Sequence, residues 1–292
     1  MTAGDPATAP RRTRAEVRSI EERAFAKVNL VLQVGPRRGD GLHEICSLFA
    51  SIDLADSVVV EVAERDEVHC PGVEGPNLAL AALERLRRAL GPEREPPPLA
   101  VRIDKRIPVA AGLGGGSADA AAVLRGANAL AGHPLDPAKL RAIASELGAD
   151  VPSQVEPGHA LVTGAGEHVE PLELGTGGIV LLPQPVGLST AAVYREADRL
   201  TATRTRLEPS ALRALAGAPA EVLAAALDND LQAAALSLRP ELVRALEHLR
   251  GAGALGSAIT GSGPTALGVF SDRAAAECAG LELEGSIVTA MR

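Results

Sequence analysis

The pattern of apolar and polar positions changes along the chain between an alternating period and a helical one. In the stretch AFAKVNLVLQV, residues 24–34, apolar side chains occupy alternate positions, and Lys27 and Asn29 share the opposite face. This pattern predicts a strand, followed by the turn GPRRGDG and a second strand over residues 42–52. Further strands are expected over 58–62, 99–103 and 179–183, after the glycine turn in 256–270, and over 286–291.

Helices are predicted where apolar side chains recur at helical spacing between these strands. Asn77 is placed to cap a helix in the leucine-rich segment after it, and Asp136 is placed to cap another that ends at Gly148. The second half of the chain carries several helical segments between about residues 189 and 250. Because strands and helices mix without a regular βαβ alternation, the expected fold class is α+β.

Length and composition bound the organisation of the chain. Its 292 residues are 46% hydrophobic, which is enough for two compact halves. No apolar run approaches the roughly 18 residues of a membrane span, and the polar N-terminus lacks the apolar core of a secretory signal. We expect a disordered tail over residues 1–20, an N-terminal domain over 21–175 and a C-terminal domain over 176–292.

Charge and cysteine content narrow the functional classes. The formal net charge of −8 argues against broad nucleic-acid binding. Cys46, Cys70 and Cys278 are odd in number and far apart, which argues against a zinc site or a disulfide framework. This cysteine usage is typical of a reducing compartment, so a cytoplasmic location is expected.

The stretch IPVAAGLGGGSADAAAVLRGAN, residues 107–128, puts four glycines within five positions directly before an alanine-rich segment. Glycine is costly to order and disfavours a helix, so this crowding needs a reason. A glycine turn between a strand and a helix N-terminus binds anions, because backbone N–H groups converge there and the helix end is partly positive. The alternative is a tight turn that lets the helix and the sheet pack closely.

Two familiar nucleotide-binding patterns fail at this loop. A P-loop needs a lysine after its last glycine, and the loop has no lysine. The dinucleotide fingerprint needs a glycine where Ser117 or Asp119 stands, depending on the register. A dinucleotide-dependent oxidoreductase stays an alternative through a slipped glycine pattern.

The wider stretch resembles another kind of phosphate loop. Pro108, a short spacer and GLGGGSADAA resemble the loop of the galactokinase, homoserine kinase, mevalonate kinase and phosphomevalonate kinase (GHMP) superfamily. Four further segments resemble the 4-diphosphocytidyl-2-C-methyl-D-erythritol kinases, in chain order from about residue 23 to 290. They are AKVNLVLQVGPRRGDGLHEICSLFASIDLAD, GADVP at 148–152, LDNDL at 227–231 and ITGSGPTALGVF at 259–270.

This resemblance implies a fold and an activity. The fold would be the two-domain GHMP kinase fold, with an N-terminal ribosomal-protein-S5-like domain and a C-terminal ferredoxin-like α+β domain. The activity would be phosphoryl transfer from ATP to the 2-hydroxyl of 4-diphosphocytidyl-2-C-methyl-D-erythritol, with Mg²⁺, in the non-mevalonate isoprenoid pathway. The implied partner is this small-molecule substrate, without nucleic acid or membrane, and the implied state is a monomer or weak homodimer.

The resemblance also carries binding roles to matching positions. The implied ATP-binding residues are Asn77, Pro108, Val109, Ala110, Ala111, Gly112, Leu113, Gly114, Gly115, Gly116, Ser117 and Ala118. Ser117 would also offer its hydroxyl to phosphate or Mg²⁺. The implied substrate residues are Asn29, His43, Thr190 and Tyr194. His43 would read the cytosine edge, Tyr194 would stack on the ring, and the turn 260–265 would close the substrate side.

The same resemblance implies the catalytic pair. Asp150 of GADVP would be the base that takes the proton of the acceptor hydroxyl, and Lys27 would stabilise its carboxylate. Because the residue before Pro152 is expected to be extended, Asp150 would lie on a constrained loop. Without the resemblance, Asp150 is an ordinary loop aspartate and Lys27 a surface charge, while His43 and Tyr194 are structural.

Some positions depart from the family pattern. Leu42 stands where the family usually has a tyrosine or phenylalanine, so one half of an aromatic clamp on the base is absent. Phe25 replaces the usual proline before Ala-Lys. Two alternatives stay open: a sibling kinase acting on another small alcohol, which Leu42 favours, and a catalytically idle nucleotide-binding homologue, against which the intact Lys27 and Asp150 argue.

Overall fold

The chain folds around two β-sheets in a computed structural model that describes residues 18–73 and 77–292. The strands are β1 (Ser19–Arg37), β2 (His43–Val62), β3 (Glu67–His69), β4 (Leu99–Asp104), β5 (Ala160–Gly164), β6 (His168–Pro171), β7 (Gly178–Leu182), β8 (Asp228–Asn229), β9 (Gly256–Ile259), β10 (Ala266–Phe270) and β11 (Ile287–Ala290). The larger sheet has the order β3-β4-β2-β1-β8, with β5 paired to β2 and β6 paired to β5. The smaller sheet has the order β11-β7-β10-β9.

Helices pack on the two sheets and connect many of the strands. They are α1 (Leu78–Leu90), α2 (Gly115–Leu130), α3 (Pro137–Ser145), α4 (Thr190–Arg199), α5 (Pro209–Arg213), α6 (Ala220–Ala225), α7 (Gln232–Leu238), α8 (Leu242–Gly251) and α9 (Arg273–Glu282). Asn77 and Asp136 cap α1 and α3 as expected, each side chain accepting a first-turn backbone N–H at 2.9 Å. α3 ends at Ser145, short of the expected Gly148. No helix in the described ranges is both long and apolar enough to cross a bilayer.

β1 and β2 form a long antiparallel pair at the centre of the larger sheet. Residues 42–52 and 58–62, expected as two strands, belong to the single strand β2, because residues 55–57 between them still pair with β1. β1 begins at Ser19 and its first residues pair with β2, so the end of the expected tail is strand and not disordered. Residues 1–17 of that tail lie outside the described residues.

The segment of β1 that carries Lys27 is buried on both faces. Lys27 and Asn29 are 5% and 3% exposed, so the interpretation of Lys27 as a surface charge is wrong. β-Bulges flank these two residues in the ladder with β2, and a bulge frees backbone groups for other partners. The Lys27 amide donates to the Leu113 carbonyl at 3.1 Å, and the Asn29 amide donates to Thr260 Oγ1 at 2.8 Å.

Alanine, leucine and valine fill the interior in three main regions and in a smaller fourth one, which β1, β2, β5, α4 and α7 enclose. One lies between the larger sheet and α1 to α3, and another lies between the smaller sheet and α8 and α9. The third joins the sheets, with Val28 and Leu30 of β1 in one cluster with Ile179 and Leu181 of β7. β8 pairs with β1 although it comes late in the chain, so the larger sheet takes a strand from the expected C-terminal domain. The boundary between 175 and 176 stays a prediction.

Candidate active site

Lys27 and Asp150 meet although they are far apart in the sequence. Lys27 Nζ lies 3.2 Å from Asp150 Oδ2 and donates to Asn29 Oδ1 at 2.8 Å, while Asn29 donates to Ser47 Oγ at 2.8 Å. The ammonium also lies 4.5 Å from the centroid of the Phe49 ring, a cation–π contact. The side chain of Lys27 is 6% exposed and that of Asp150 is 33% exposed. The lysine is therefore fixed inside the protein, while the carboxylate has an open side.

The loop after α3 presents Asp150. Ser153 Oγ donates to the Asp150 carbonyl at 2.8 Å, and residues 152–154 form a 3-10 turn. Val151 was expected to be extended before the proline, but it has φ −65° and ψ −39°, so that expectation is wrong. Val151 is fully buried, and its packing outweighs the local steric bias. The loop is therefore constrained by burial and by the turn.

The backbone of the glycine loop lies close to Lys27 at one position and to the turn 260–265 at another. Gly114 has φ 71° at the N-cap of α2, and a Cβ atom on it would lie 3.1 Å from Lys27 Cγ. Gly112 has φ 77°, and a Cβ atom on it would lie 2.7 Å from the Gly263 carbonyl oxygen. Both positions need glycine for conformation and for space. Because α2 begins at Gly115, the amides of its first turn have no intrahelical acceptor and lie at its positive end.

Two cavities meet at this loop. The larger, of about 670 Å³, is lined by all the expected catalytic and substrate residues, which are Lys27, Asn29, His43, Asp150, Thr190 and Tyr194. The smaller, of about 330 Å³, is lined by Asn77 and residues 108–117, and it shares Gly112, Gly114 and Ser117 with the larger. Ala118 is different, because it is buried in the core and its amide already donates to the Gly114 carbonyl at 2.9 Å. Ala118 therefore has no group to offer ATP, contrary to expectation.

His43 and Tyr194 pack together in the larger cavity. Their ring centroids are 5.3 Å apart and their planes are inclined by 33°. His43 Nδ1 donates to the Gly35 carbonyl at 3.0 Å, and Nε2 lies 3.3 Å from Asp198 Oδ1 on α4. Both ring nitrogens therefore have protein partners. Burial, with the nearby charge of Asp150, raises the pKa of Tyr194, which keeps the phenol neutral.

The remaining wall of the larger cavity comes from α4 and from the β1–β2 hairpin. Thr190 Oγ1 lies 3.0 Å from Ser262 Oγ, so the start of α4 contacts the turn 260–265. Leu42, in the hairpin, is 55% exposed and lines the cavity. An apolar side chain exposed at this point offers a hydrophobic face to whatever enters.

Known proteins are similar to this chain over most of its length. Residues 77–158 match the GHMP kinases N terminal domain, and residues 210–284 match the GHMP kinases C terminal domain. The chain is 44% identical over 272 residues to the 4-diphosphocytidyl-2-C-methyl-D-erythritol kinase of Anaeromyxobacter dehalogenans (strain 2CP-C), which covers 90% of this chain and 84% of that protein. It is 41% identical over 283 residues to the kinase of the same name from Mycolicibacterium gilvum (strain PYR-GCK), which covers 92% and 87%. The chain belongs to the 4-diphosphocytidyl-2-C-methyl-D-erythritol kinase family.

A solved structure supports this membership. The crystal structure of a 4-(cytidine 5'-diphospho)-2C-methyl-D-erythritol kinase has a TM-score of 0.78 and 35% identity to this chain, covering 94% of this chain and 100% of that one. The resemblance in the sequence and the α+β GHMP kinase fold are therefore confirmed. Because GHMP kinases use ATP, the dinucleotide-dependent alternative is not favoured.

Sequence reasoning missed a charged cluster beside the glycine loop of this family member. Lys105 Nζ donates to Asp56 Oδ2 at 2.5 Å and to Asp119 Oδ2 at 2.7 Å, and all three side chains are buried or nearly so. Asp119 Oδ1 has no hydrogen-bond partner in the described part of the chain, and burial raises the pKa of Asp119 to about 7. The signal available in the sequence was the scarcity of lysine, since the chain has three.

Proposed function

We propose that this chain transfers the γ-phosphoryl group of ATP to the 2-hydroxyl of 4-diphosphocytidyl-2-C-methyl-D-erythritol, giving the 2-phosphate and ADP. The observation that carries the proposal is the 3.2 Å approach of Lys27 Nζ to Asp150 Oδ2, beside the glycine loop that both cavities share. The volume of the larger cavity, about 670 Å³, falls in the range of small-molecule sites.

Asp150 acts as the general base. Its carboxylate accepts the proton of the 2-hydroxyl while the hydroxyl oxygen forms a bond to the γ-phosphorus. The bond from that phosphorus to the β–γ bridging oxygen breaks, and its electron pair leaves with ADP. Lys27 holds the carboxylate in place and offsets negative charge near the reacting oxygen, as a compact point charge can.

The glycine loop and the start of α2 hold the triphosphate. Four of residues 112–117 are glycine and Leu113 is buried in the core, so little side-chain bulk stands before the amides, and the N-terminus of α2 is partly positive. Asn77 and residues 108–111 also line the smaller cavity, and in this proposal they contact the nucleoside. This arrangement binds ATP through backbone groups and needs no loop lysine.

Mg²⁺ fits the oxygen donors at this place. The Ser117 hydroxyl and the Asp150 carboxylate line one cavity, and both are hard oxygen donors. Within the described ranges no cluster of three or more His, Cys, Asp or Glu side chains is suited to a metal. Mg²⁺ commonly binds through one or two protein oxygens together with substrate phosphates, so Ser117 suffices as a protein ligand. Bound there, the ion would neutralise phosphate charge.

The cytidine end of the substrate lies against Tyr194 and Leu42 in this proposal. Stacking of a base on an aromatic ring contributes roughly 1–3 kcal/mol, and Leu42 adds an apolar face in place of a second ring. His43 borders the same space, and its Nε2 reads the cytosine edge when the base displaces the contact to Asp198. Asn29 and Thr190 complete the lining nearer to Lys27 and to the turn 260–265.

A second candidate keeps the chemistry and changes the acceptor. Leu42, which stands where the family usually has an aromatic residue, is the feature that suggests a sibling kinase acting on another small alcohol, but the relatives at 41–44% identity do not favour that alternative. ADP release measured with the cytidyl substrate, mevalonate and homoserine separates the two candidates. We expect turnover with the cytidyl substrate alone; faster turnover with mevalonate or homoserine would move the assignment to the sibling activity.

The base assignment is tested by Asp150→Asn. Loss of the proton acceptor is expected to lower kcat by about 100- to 10,000-fold. Asp104→Asn is the matched control, because Asp104 is an exposed aspartate outside both cavities and its change should leave kcat unaltered. Turnover of Asp150→Asn near that of the parent chain would show that Asp150 is not the base.

The location and the assembly state of the enzyme are also part of this proposal. We place the enzyme in the cytoplasm as a monomer or weak homodimer. Cys46, Cys70 and Cys278 are free thiols, which a reducing compartment maintains. Sedimentation velocity over a range of concentrations tests the assembly state, and a dimer that persists at nanomolar concentration would contradict it.

A further inference from the structure

The turn 260–265, between β9 and β10, is where several parts of the site meet. The Asn29 amide of β1 donates to Thr260 Oγ1 at 2.8 Å, and Thr190 of α4 contacts Ser262 with 3.0 Å between their hydroxyl oxygens. The glycine loop packs directly against a carbonyl of the same turn. A shift of the turn would therefore change its contacts with β1, α4 and the glycine loop at the same time.

Gly261 brings the turn against the catalytic lysine. A Cβ atom on Gly261 would lie 3.2 Å from Asn29 Oδ1 and 3.9 Å from Lys27 Nζ. The residue has φ 57°, in the left-handed region that favours glycine. The backbone of the turn is thus one wall around the ammonium, and the position of Gly261 limits where Lys27 can lie.

Asn229 holds this wall in place. Its Nδ2 donates to the Ile259 carbonyl at 2.7 Å and to the Gly261 carbonyl at 2.8 Å, and its Oδ1 accepts from the Leu231 amide at 2.9 Å. The residue is 9% exposed. Both amide hydrogens and the amide oxygen are therefore used inside the protein, which fixes the orientation of the side chain.

Asn229 is in turn anchored on the strand that carries Lys27. β8 pairs with β1 at Leu32, and the adjacent Asp230 accepts the Val34 amide at 2.8 Å. Arg204 also donates to Asp230 at 2.7 Å, which gives the residue after β8 a second fixed contact. A chain of contacts thus runs from β1 through Asn229 to the turn and back to Lys27.

We propose that Asn229 is a positioning residue, which holds Gly261 against Lys27 so that the Lys27–Asp150 pair keeps the geometry of phosphoryl transfer. Asn229 lines neither cavity, so it acts through the turn and not on a ligand. The proposal rests on the proposed function as far as Lys27 takes part in the transfer. A misplacement of about 1 Å at a reacting group costs about 100-fold in rate, so a small shift of the wall has a measurable effect.

Asn229→Asp tests the proposal with little change of shape. The substitution replaces the amide donor with a carboxylate oxygen that faces two carbonyls, so both hydrogen bonds from residue 229 to the turn are lost. We expect kcat for ADP release to fall about 10- to 100-fold while KM for ATP stays within about threefold. Amide hydrogen exchange in residues 260–263 should become faster in the same variant.

Gln232→Leu is the matched control. Gln232 Oε1 accepts the Ile259 amide at 2.9 Å, so it supports the same strand end without reaching Gly261. We expect a lower melting temperature with kcat within about twofold of the parent chain. An equal loss of kcat in both variants would overturn the proposal, because it would reduce Asn229 to general support of β9.

Further outcomes separate the positioning role from the proposed function. If Asn229→Asp does not fold, Gly261→Ala perturbs the same contact from the turn side and should lower kcat likewise. Unchanged kcat and unchanged exchange in 260–263 would overturn the positioning role. If the parent chain releases no ADP with the cytidyl substrate, the proposed function fails, while hydrogen exchange still decides whether Asn229 holds the turn.

Discussion

Two lysine–aspartate contacts flank the glycine loop and differ in what surrounds them. A Cβ atom on Gly114 would lie 3.1 Å from Lys27 Cγ, and one on the adjacent Gly115 would lie 3.3 Å from Lys105 Nζ. Lys27 meets a single carboxylate, that of Asp150, with a third of its side chain exposed. Lys105 meets two carboxylates whose side chains are 0% and 6% exposed. Two adjacent glycines thus lie beside two lysines, one paired with a partly exposed carboxylate and the other with two buried carboxylates.

This difference in exposure indicates that one lysine–aspartate pair acts in turnover and the other in stability. A carboxylate with an open side can exchange a proton with a ligand, and the loss of its lysine leaves it hydrated. The carboxylates of Asp56 and Asp119 are almost completely buried, although Lys105 and Asp119 border the smaller cavity, so little water can replace the lysine and its removal leaves uncompensated charge in the interior. We therefore expect the Lys27 contact to govern turnover and the Lys105 contact to govern stability.

The largest expected effect comes from Lys27→Met. Loss of the charge beside the base should lower kcat by about 100- to 10,000-fold, while the free energy of unfolding falls by about 1–3 kcal/mol, because Asp150 stays hydrated and the cost comes from the unpaired Asn29 Oδ1. Steady-state ADP release and urea unfolding measure the two quantities. Lys139→Met is the control, since Lys139 is 64% exposed and pairs with Asp136 at the surface. Equal losses of turnover in both variants would break the comparison.

Lys105→Met is the counterpart on the other side of the loop. Removing one partner of a buried ionic cluster costs about 3–5 kcal/mol of unfolding free energy, far more than Lys139→Met should cost. Urea unfolding at constant pH measures this loss. A variant within about 1 kcal/mol of the parent chain would mean that Asp56 and Asp119 are not held together by Lys105.

Local signals in the sequence were enough for several features. Asn77 and Asp136 cap helices because a side-chain acceptor before a helix is a local device. The glycine loop before α2 was predicted from its spacing, and the family resemblance led to Lys27 and Asp150. These predictions needed no knowledge of which strands pair.

Other features depend on contacts between distant parts of the chain. Lys105 and Asp56 are 49 positions apart, and no periodicity links them. β8 has two residues, too few to show an alternating pattern, so the role of Asn229 could not be inferred before β8 was seen beside β1. The continuity of β2 was missed because its polar middle is stabilised by pairing with β1 and not by its own hydrophobicity.

Asp119→Asn sharpens the comparison through pH. Burial raises the pKa of Asp119 to about 7, well above the usual pKa of an aspartate, so between about pH 4 and 7 the folded state holds a proton that the unfolded chain has released. Unfolding then releases a proton, and the free energy of unfolding falls as pH rises, by up to about 1.4 kcal/mol per pH unit. Asparagine cannot titrate, so urea unfolding between about pH 4 and 7 should lose this slope. An identical slope in both proteins would place the proton elsewhere.

The smallest expected effect concerns the contact between His43 and Asp198. It lies on the larger cavity, with Asp198 Oδ1 3.3 Å from His43 Nε2, and the Asp198 carboxylate is open to solvent as that of Asp150 is, so its loss should leave stability nearly unchanged. Asp198→Asn weakens the hold on the ring, and KM for the cytidyl substrate should rise about three- to tenfold, which corresponds to at most about 1.4 kcal/mol.

Glu196→Gln is the control for this last change, because Glu196 lies on the same helix but pairs with Arg199 and Ser237, away from the cavity. Its KM should match that of the parent chain. Asp198→Asn could instead lower the free energy of unfolding by several kcal/mol at unchanged KM. Exposure of the carboxylate would then not distinguish contacts that act in turnover from contacts that act in stability. The distinction drawn from the two lysines would then hold for those lysines alone.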